Sequence, residues 1–304
     1  MKCSFCKQES VYFRKNEGHY YCKKHFIKNI EKKVKKNIST SKLVENGDAI
    51  AVAYSGSKDS ANVLFLLKSI FKNNPKIKIF AITLDEGING YSNSCAKKSE
   101  TLCKRIGVKQ YVFYFKKEFG STFDELTKKV KSGYFESCDL LKGYLLNKKA
   151  VELGATKLAI GHDLDYECES IVMNLLKGDI LKMNHIGPMQ KPDCPKSVTR
   201  IKPLITVLKN ESILYGKINN IPSCPKGCFY TVDNSLRKEA RKFLSNLEEN
   251  SPGIKYSLYE SALKIKPFIN SKFKEKRVLT CKKCGEPSSQ KVCKVCDFKE
   301  KLSS

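Results

Sequence analysis

Apolar and polar residues are arranged in blocks that predict strands followed by helices. The run 49–53 is short, apolar and bounded by polar residues, as expected of a buried parallel strand. Leu64, Leu67 and Phe71 then recur at helical spacing, which predicts a helix beginning near Asp59 or Ser60. Further strands are predicted at 76–84, 110–115 and 157–160. Strands separated by helices predict an α/β fold with a parallel sheet.

The first strand runs into a loop of small and polar residues: Ser55, Gly56, Ser57, Lys58, Asp59 and Ser60. A helix start presents free backbone N–H groups and the positive end of the helix dipole, so this loop is suited to a phosphate. The order resembles the Ser-Gly-Gly-x-Asp-Ser loop of the PP-loop ATPases, with Ser57 at the second glycine. That resemblance implies ATP binding by Ala53, Tyr54 and the loop. An ordinary strand-to-helix turn is the alternative.

Closely spaced cysteines at the two ends of the chain predict two structural zinc modules. Each short spacing lets one chain turn supply two ligands to a tetrahedral ion. The predicted ligands are Cys3, Cys6, Cys22 and His25 at one end, and Cys281, Cys284, Cys293 and Cys296 at the other. Redox pairs or disulfides are the alternative interpretation.

The net charge of the chain favours binding to polyanions, and its hydropathy favours a soluble protein. The 304-residue chain has 57 lysines and arginines against 31 aspartates and glutamates, a net charge of +26. Such a surplus attracts nucleic acid, although a lysine-rich solvated surface is the plainer interpretation. We find no apolar run long enough to cross a membrane and no signal peptide, so we expect a soluble, cytoplasmic protein. Its 14 cysteines then favour metal binding or sulfur chemistry over a disulfide scaffold.

Changes in composition divide the chain into five segments. We predict an N-terminal zinc module at 1–26, a basic linker helix at 27–46 and the nucleotide-binding domain at 47–234. A basic segment at 235–276 contains an amphipathic helix whose basic face contacts either RNA or solvent. A zinc ribbon follows at 277–304, with residues 298–304 as a frayed tail.

Two further strand ends are predicted to face the same crevice as the loop. Asp85 ends the second strand, where a carboxylate contacts a ribose or an adenine edge, or caps the next element. The fourth strand ends in Gly161, His162, Asp163, Leu164 and Asp165. His162 either contacts the nucleotide or packs locally.

These motifs together resemble the tRNA 2-thiouridine synthetases. The resemblance implies an adenine nucleotide alpha hydrolase-like PP-loop domain flanked by two zinc modules. It also implies an enzyme that uses ATP and Mg²⁺ to adenylate the 2-oxygen of a tRNA uridine and replace it with sulfur. The implied partners are tRNA and a sulfur donor, which is a thiocarboxylated ubiquitin-like carrier, a desulfurase or sulfide. Relatives of this kind are often homodimers.

The family's sulfur-handling cysteines match this sequence only in part. Its Cys-x-x-Cys segment corresponds to Phe135 and Cys138, and its third cysteine corresponds to Cys228, with Cys224 as a substitute. The resemblance implies either a 4Fe-4S cluster on Cys138, Cys224 and Cys228, or a persulfide passed from Cys138 to Cys228 or Cys224. We interpret Cys95, Cys103, Cys168 and Cys194 as buried small apolar residues.

Two other residues are assigned roles through the same resemblance. Lys142 is expected to offset phosphate charge and to favour a nearby thiolate. Asp165 is expected to hold Mg²⁺ or to orient water. Tyr166 stands where many relatives have a second aspartate.

Two alternative functions remain open at this point. One is a PP-loop ligase that acts on another tRNA base or on a carboxylate and uses no redox cysteine. The other is a catalytically reduced zinc and RNA-binding module, which the substitutions Phe135 and Tyr166 keep in view.

Overall fold

The protein was analysed as a computed structural model, which describes residues 1–128, 133–192, 194, 196–224, 230, 235–273 and 279–303. The strands are β1 (Tyr12–Arg14), β2 (His19–Tyr21), β3 (Ala49–Ala53), β4 (Lys78–Asp85), β5 (Lys109–Tyr114), β6 (Lys157–Ala159), β7 (Met189–Gln190), β8 (Thr199–Ile201), β9 (Leu279–Thr280) and β10 (Pro287–Ser288). The helices are α1 (Lys23–Thr40), α2 (Lys58–Phe71), α3 (Ser92–Ile106), α4 (Phe115–Phe119), α5 (Phe123–Thr127), α6 (Tyr134–Glu152), α7 (Leu164–Leu176), α8 (Lys209–Ile218), α9 (Ser235–Asn250), α10 (Ile254–Lys272) and α11 (Lys294–Ser303), with a 3₁₀ helix at Ile180–His185.

The central sheet has six strands in the order β5-β4-β3-β6-β8-β7. All neighbouring strands are parallel except β7, which pairs antiparallel with β8 at the edge. The predicted α/β fold is therefore confirmed. The β7–β8 edge was not predicted, because strands of two and three residues are too short to show an alternating pattern.

Alternation along β3 divides the core between the two faces of the sheet. Ile50 and Val52 face one cluster, which includes the apolar stripes of α1 and α2. Ala51 faces a second cluster, which contains Leu141 and Leu145 of α6 and residues of the C-terminal cysteine module. Since successive side chains of a strand point to opposite faces, one short apolar run serves both clusters.

The N-terminal hairpin β1–β2 is fixed to the central domain by a buried ion pair. The Arg14 Nε donates to Oε1 of Glu211 at 2.7 Å, and the two side chains are 1% and 0% exposed. Glu211 lies in the first turn of α8. Because a buried charge is costly without its partner, this contact holds the hairpin on the domain.

Three predicted elements differ in the structure. The basic helix α1 begins at Lys23, directly after Cys22, and ends at Thr40, so the predicted zinc module and the helix are continuous. The basic segment 235–276 holds two helices, α9 and α10, rather than one. The predicted frayed tail is wrong for residues 298–303, which belong to α11, where Phe298 packs against the second core cluster.

The described part of the chain contains no helix with both the length and the apolar character of a membrane span.

Candidate active site

The loop after β3 brings three serine hydroxyls together at the start of α2. The Oγ atoms of Ser55, Ser57 and Ser60 lie 3.0 to 3.3 Å from one another. Ser57 is the N-cap of α2 and accepts a hydrogen bond from the backbone N–H of Ser60. The predicted strand, loop and helix are thus observed, and they place hydroxyls and free N–H groups around one point, as an anion site requires.

Two glycines allow the loop to be approached closely by other elements. Gly56 has φ of +79°, and a Cβ there would lie 2.9 Å from Cβ of Cys95. At Gly161, just after β6, a Cβ would lie 2.7 Å from the backbone N of Ser60. Only glycine fits either contact, so the end of β6 packs directly on the first turn of α2.

Carboxylates and one lysine flank the loop. Lys58 Nζ lies 2.6 Å from Oδ1 of Asp59 and 3.9 Å from Oδ2 of Asp163. Asp163 caps α7 by accepting a hydrogen bond from the Tyr166 N–H at 2.8 Å. Burial, and then the negative charges of Asp59 and Asp165, raise the pKa of Asp163 to about 7. The crevice therefore contains closely spaced carboxyl groups, and a bound cation would reduce the repulsion between them.

His162 is a half-buried, neutral side chain in the crevice. Burial, followed by the charges of Lys202, Arg237 and Arg200, lowers its pKa to about 3. Its ring stacks on Tyr166 with centroids 3.9 Å apart, and its Nδ1 atom has no hydrogen-bond partner among the described residues. A buried polar atom without a partner is uncommon in folded proteins, and His162 is one of the residues that line the cavity beside the loop.

Other predicted site residues are engaged in ion pairs or local turns. Lys142 Nζ lies 2.6 Å from Oε1 of Glu86, and Asp165 accepts hydrogen bonds from Lys255 Nζ at 2.6 Å and from the Lys209 N–H at 2.7 Å. Asp85 accepts a hydrogen bond from the Gly87 N–H at 2.8 Å, which makes it a turn-forming residue. The roles predicted for these side chains toward ATP stay predictions.

A cavity of about 700 Å³ opens beside the serine cluster. The residues that line it include several that the sequence predicted to belong to the site: Ser55, Ser57, Ser60, Lys142, Gly161 and His162. The C-terminal cysteine module contributes Ser288 and Lys294 to the cavity wall, and Arg200 also lines the cavity. Sequence reasoning missed Arg200 and Lys294, because neither belongs to a motif and their position follows only from the tertiary fold.

Each predicted set of zinc ligands converges. In both groups, Cys3, Cys6, Cys22 and His25 and the four C-terminal cysteines, the ligand atoms lie within 4.8 Å of one another. Hydrogen bonds from the backbone N–H groups of Cys293, Cys284 and Lys283 outweigh burial and lower the pKa of Cys281 to about 6. Thiolates in a four-ligand arrangement fit tetrahedral zinc.

Two arginines on the predicted basic helix point inward. Arg237 Nη1 and Arg241 Nε lie 3.1 and 2.6 Å from the carboxylate of Glu169, which is 3% exposed. Arg237 also covers the ring of Tyr166 at 4.4 Å. These two guanidinium groups therefore hold α9 against α7 beside the crevice.

The predicted sulfur-handling cysteines do not form one visible cluster. Cys138 is buried in α6, and Cys228 lies outside the described residues. Cys224 is joined to Cys95 in a disulfide. The interpretation of Cys95 as a merely buried apolar residue is therefore wrong.

Comparison with known proteins agrees with this geometry. Residues 23–222 match the model of a family described as the PP-loop domain. This chain belongs to the PP-loop domain family. The predicted resemblance is confirmed as well, since the similar proteins described next carry the names of tRNA 2-thiolation enzymes.

Similarity extends over nearly the whole of this chain and over most of each relative. A probable sulfurtransferase of Methanocaldococcus jannaschii is 35% identical over 99% of this chain and 88% of that protein. The tRNA-5-methyluridine(54) 2-sulfurtransferase of Pyrococcus horikoshii is 31% identical over 98% and 93%. Cytoplasmic tRNA 2-thiolation protein 1 of Caenorhabditis elegans is 27% identical over 99% and 80%.

A solved relative shares the fold of the whole chain. The U34-tRNA thiolase NcsA of Methanococcus maripaludis, solved with its 4Fe-4S cluster, superposes with a TM-score of 0.86 at 31% identity. The match covers 99% of this chain and 96% of that one.

The residues of this PP-loop protein fit such a cluster poorly. Phe135 has no metal-binding atom and stands where the resemblance places the first thiolate. Cys224, the substitute ligand, is bonded to Cys95 in the structure. An iron–sulfur cluster is held by cysteine thiolates, so these two positions do not supply the ligands that it needs.

Proposed function

We propose that this protein is an ATP-dependent tRNA-uridine 2-sulfurtransferase. It adenylates the 2-oxygen of a uridine, releasing pyrophosphate, and then replaces that oxygen with sulfur, releasing AMP. The observation that carries the proposal is the serine-lined loop at the mouth of the 700 Å³ cavity, in a chain that matches a tRNA thiolase over 99% of its length.

The loop binds the phosphates of ATP. Backbone N–H groups at the start of α2 and the hydroxyls of Ser55, Ser57 and Ser60 converge on one point, and charge-assisted hydrogen bonds to an anion are the strong ones. Lys142 and Arg200 line the same cavity and stabilise charge that develops on the α-phosphate. Adenylation converts the 2-oxygen of the uridine, which is a poor leaving group, into a good one.

Magnesium accompanies ATP, and this chain offers carboxylates for it. Asp59 and Asp163 flank the loop, and burial followed by the charge of Asp59 raises the pKa of Asp163, so a divalent cation bound between the two carboxylates would be stabilised by both. Asp165 is already hydrogen-bonded to Lys255 and Lys209, and it orients the loop before α8.

The tRNA binds through its phosphates along α1. One face of this helix is buried through Phe26, Ile30 and Val34. The opposite face exposes a run of lysines: Lys23, Lys24, Lys28, Lys32, Lys35 and Lys36. A basic stripe on a rigid helix suits the electrostatic contact with a nucleic-acid backbone.

Two zinc ions hold the terminal modules, and neither module leaves a ligand position open for catalysis. The sulfur donor is a thiocarboxylated ubiquitin-like carrier, a desulfurase or sulfide. We place the reaction in the cytoplasm, as the names of the eukaryotic relatives indicate. The homodimer stays a prediction.

The decisive experiment measures two products. Anaerobically purified protein is incubated with Mg-ATP, unmodified tRNA and, in separate reactions, sulfide, a persulfide or a thiocarboxylated carrier protein, and AMP and 2-thiouridine are quantified by chromatography and mass spectrometry. Formation of both, dependent on tRNA, supports the proposal. AMP without thiouridine under every sulfur source indicates the ligase, and no ATP turnover indicates the binding module. Mapping the modified nucleoside separates position 34 from position 54.

A further inference from the structure

A separate cavity lies between the N-terminal hairpin and the helices α8 and α9. Its volume is about 440 Å³, in the range of sites that hold small molecules. The residues used below from its wall are Phe13, Lys15, Asn16, Lys209, Asn210 and Arg241. We call it the hairpin cavity. No described residue lines both this cavity and the larger one beside the serine cluster.

The hairpin cavity is bordered by an exposed pair of stacked aromatic rings. Phe13 lies opposite Tyr20 in the hairpin, and their ring centroids are 4.4 Å apart at an interplanar angle of 24°. Phe13 is 41% exposed, whereas its neighbour Arg14 is 1% exposed and paired with Glu211. Because successive strand residues point to opposite faces, the buried ion pair of Arg14 fixes Phe13 on the outer face. A fixed, exposed aromatic ring is a surface on which an unpaired base stacks.

Two asparagines add hydrogen-bonding groups to this aromatic surface. The amides of Asn16 and Asn210 are exposed and make no hydrogen bond to the residues that the structure describes. Each amide has one carbonyl acceptor and an NH₂ donor, and the edge of an unpaired base carries complementary groups. Asn16 is held against the turn before α10, since a Cβ on Gly253 would lie 3.3 Å from the Asn16 Cβ.

The balance of charge in the cavity favours a base over a phosphate. Its wall contains the cations Lys15, Lys209, Arg241 and Lys255 and the carboxylates Asp165, Glu248 and Glu249. Lys255 pairs with Asp165 at 2.6 Å, and Glu248 accepts hydrogen bonds from the backbone N–H groups of Gly253 and Lys255. The carboxylates repel a phosphate, whereas a neutral base is not repelled.

The surroundings of the cavity indicate that the base belongs to RNA. The hairpin leads through Cys22 directly into α1, whose outer face carries exposed lysines. On the other side, Asp165 of the cavity wall is two residues from Asp163 of the crevice. An RNA whose backbone lies on the lysine face can therefore place one base in this cavity and another in the crevice.

We propose that the hairpin cavity binds one unpaired base of the tRNA substrate, stacked on Phe13 and hydrogen-bonded by Asn16 and Asn210. This base is distinct from the uridine that reacts. The inference rests on the proposed function and deepens it, because it assigns a second recognition site for the same substrate.

A fluorescent reporter tests the occupant directly. The chain contains no tryptophan, so Phe13→Trp in the full-length protein places a single indole in the cavity wall. We expect unmodified tRNA transcript to quench its emission, because a base stacks on the indole. A fully paired RNA duplex brings phosphates without unpaired bases and should leave the emission unchanged. Phe268→Trp is the matched control, since Phe268 is 73% exposed on α10 and lies outside the hairpin cavity.

Kinetics supply a second measurement. Phe13→Ala should raise KM for tRNA about tenfold, the scale of one lost base–aromatic stack, with kcat at saturating tRNA near the wild-type value. Phe13→Trp should keep the wild-type KM. The slope of log Kd against log salt concentration should not change in Phe13→Ala, whereas loss of an exposed lysine of α1 in Lys28→Ala should reduce it by about 1. Thermal unfolding identifies any variant that is misfolded.

Three results would overturn the inference. Wild-type KM for tRNA in folded Phe13→Ala makes the aromatic pair structural. Equal quenching of Phe13→Trp by tRNA and by the paired duplex, or a smaller salt slope in Phe13→Ala, assigns the cavity to a phosphate. A wild-type protein that forms neither AMP nor 2-thiouridine rejects the proposed function, while quenching of Phe13→Trp by tRNA alone would still support the base site.

Discussion

The imidazole of His162 and the phenol ring of Tyr166 stack with their centroids 3.9 Å apart, at an interplanar angle of 27°. The guanidinium of Arg237 lies 4.4 Å from the Tyr166 centroid. We expect Tyr166→Leu to lower the free energy of unfolding by about 1–3 kcal/mol, because it removes an aromatic pair and a cation–π contact. Urea denaturation measures the change.

Tyr166→Phe is the matched control for the stack. It keeps the ring between His162 and Arg237, so we expect a change below about 1 kcal/mol. Equal losses in the two variants would show that the hydroxyl, rather than the stacked ring, stabilises the crevice.

Gly161→Ala should disable the phosphate loop. The new Cβ would meet the backbone N of Ser60 at 2.7 Å, so α2 must shift. We expect AMP formation to fall about 100-fold, as displacements of about 1 Å at a reacting centre do, with a loss of about 1–3 kcal/mol in stability.

Gly143→Ala provides the stability control for that variant. Gly143 lies inside α6, and the nearest atom to its added Cβ is a flexible arginine tip at 4.0 Å. Alanine in a helix interior should raise stability by about 0.5–1 kcal/mol. A wild-type rate of AMP formation in Gly161→Ala would contradict the predicted contact.

Asp163 should make the protein less stable as pH rises. Its pKa is raised from 3.8 to about 7, so between these values the folded state holds a proton that the unfolded chain releases. Stability therefore falls with rising pH across this window. Asp163→Asn keeps an oxygen that caps α7, so relative to wild type it should gain on the order of 2 kcal/mol between pH 4.5 and 8.

Urea unfolding at several pH values, without ATP or magnesium, measures this effect. Asp179→Asn is a contrast, because hydrogen bonding to Lys182 lowers the pKa of Asp179 and predicts a trend of the opposite sign. A flat difference between wild type and Asp163→Asn would reject the protonated carboxyl.

Mutations in the two predicted zinc modules should affect the binding of different substrates. Cys293→Ser should remove one zinc per chain and raise KM for ATP about tenfold, the effect of losing roughly one charge-assisted contact from the cavity wall that contains Lys294. Cys6→Ser should also remove one zinc, but it should weaken tRNA binding rather than ATP binding. Zinc analysis and steady-state kinetics on both variants test this difference, and identical effects on KM would contradict it.

Local features of the site could be predicted from the sequence because each depends on neighbouring residues. The two convergent groups of possible metal ligands follow from cysteine and histidine spacings of three residues, and the loop at Ser55 to Ser60 follows from an apolar strand that breaks into hydroxyls before a helical pattern. The apolar face of the resulting helix then predicts that the helix packs on the sheet.

Contacts between distant segments could not be predicted in the same way. Nothing in the sequence links Cys95 with Cys224, or Arg241 with Glu169, since each pairing depends on where the sheet places α3, α7 and α9. The same holds for Lys294, which reaches the cavity because the C-terminal module packs on α6.

The ion pair of Arg14 with Glu211 has a mechanical consequence for tRNA recognition. Glu211 begins the helix that follows the crevice, and Arg14 belongs to the hairpin that precedes the lysine face of α1. The ion pair therefore links the lysine face of α1 to the α8 side of the crevice, so the two surfaces cannot move apart independently. Under the proposed function, an RNA bound along α1 would have to present its target uridine at the distance that separates this helix from the crevice.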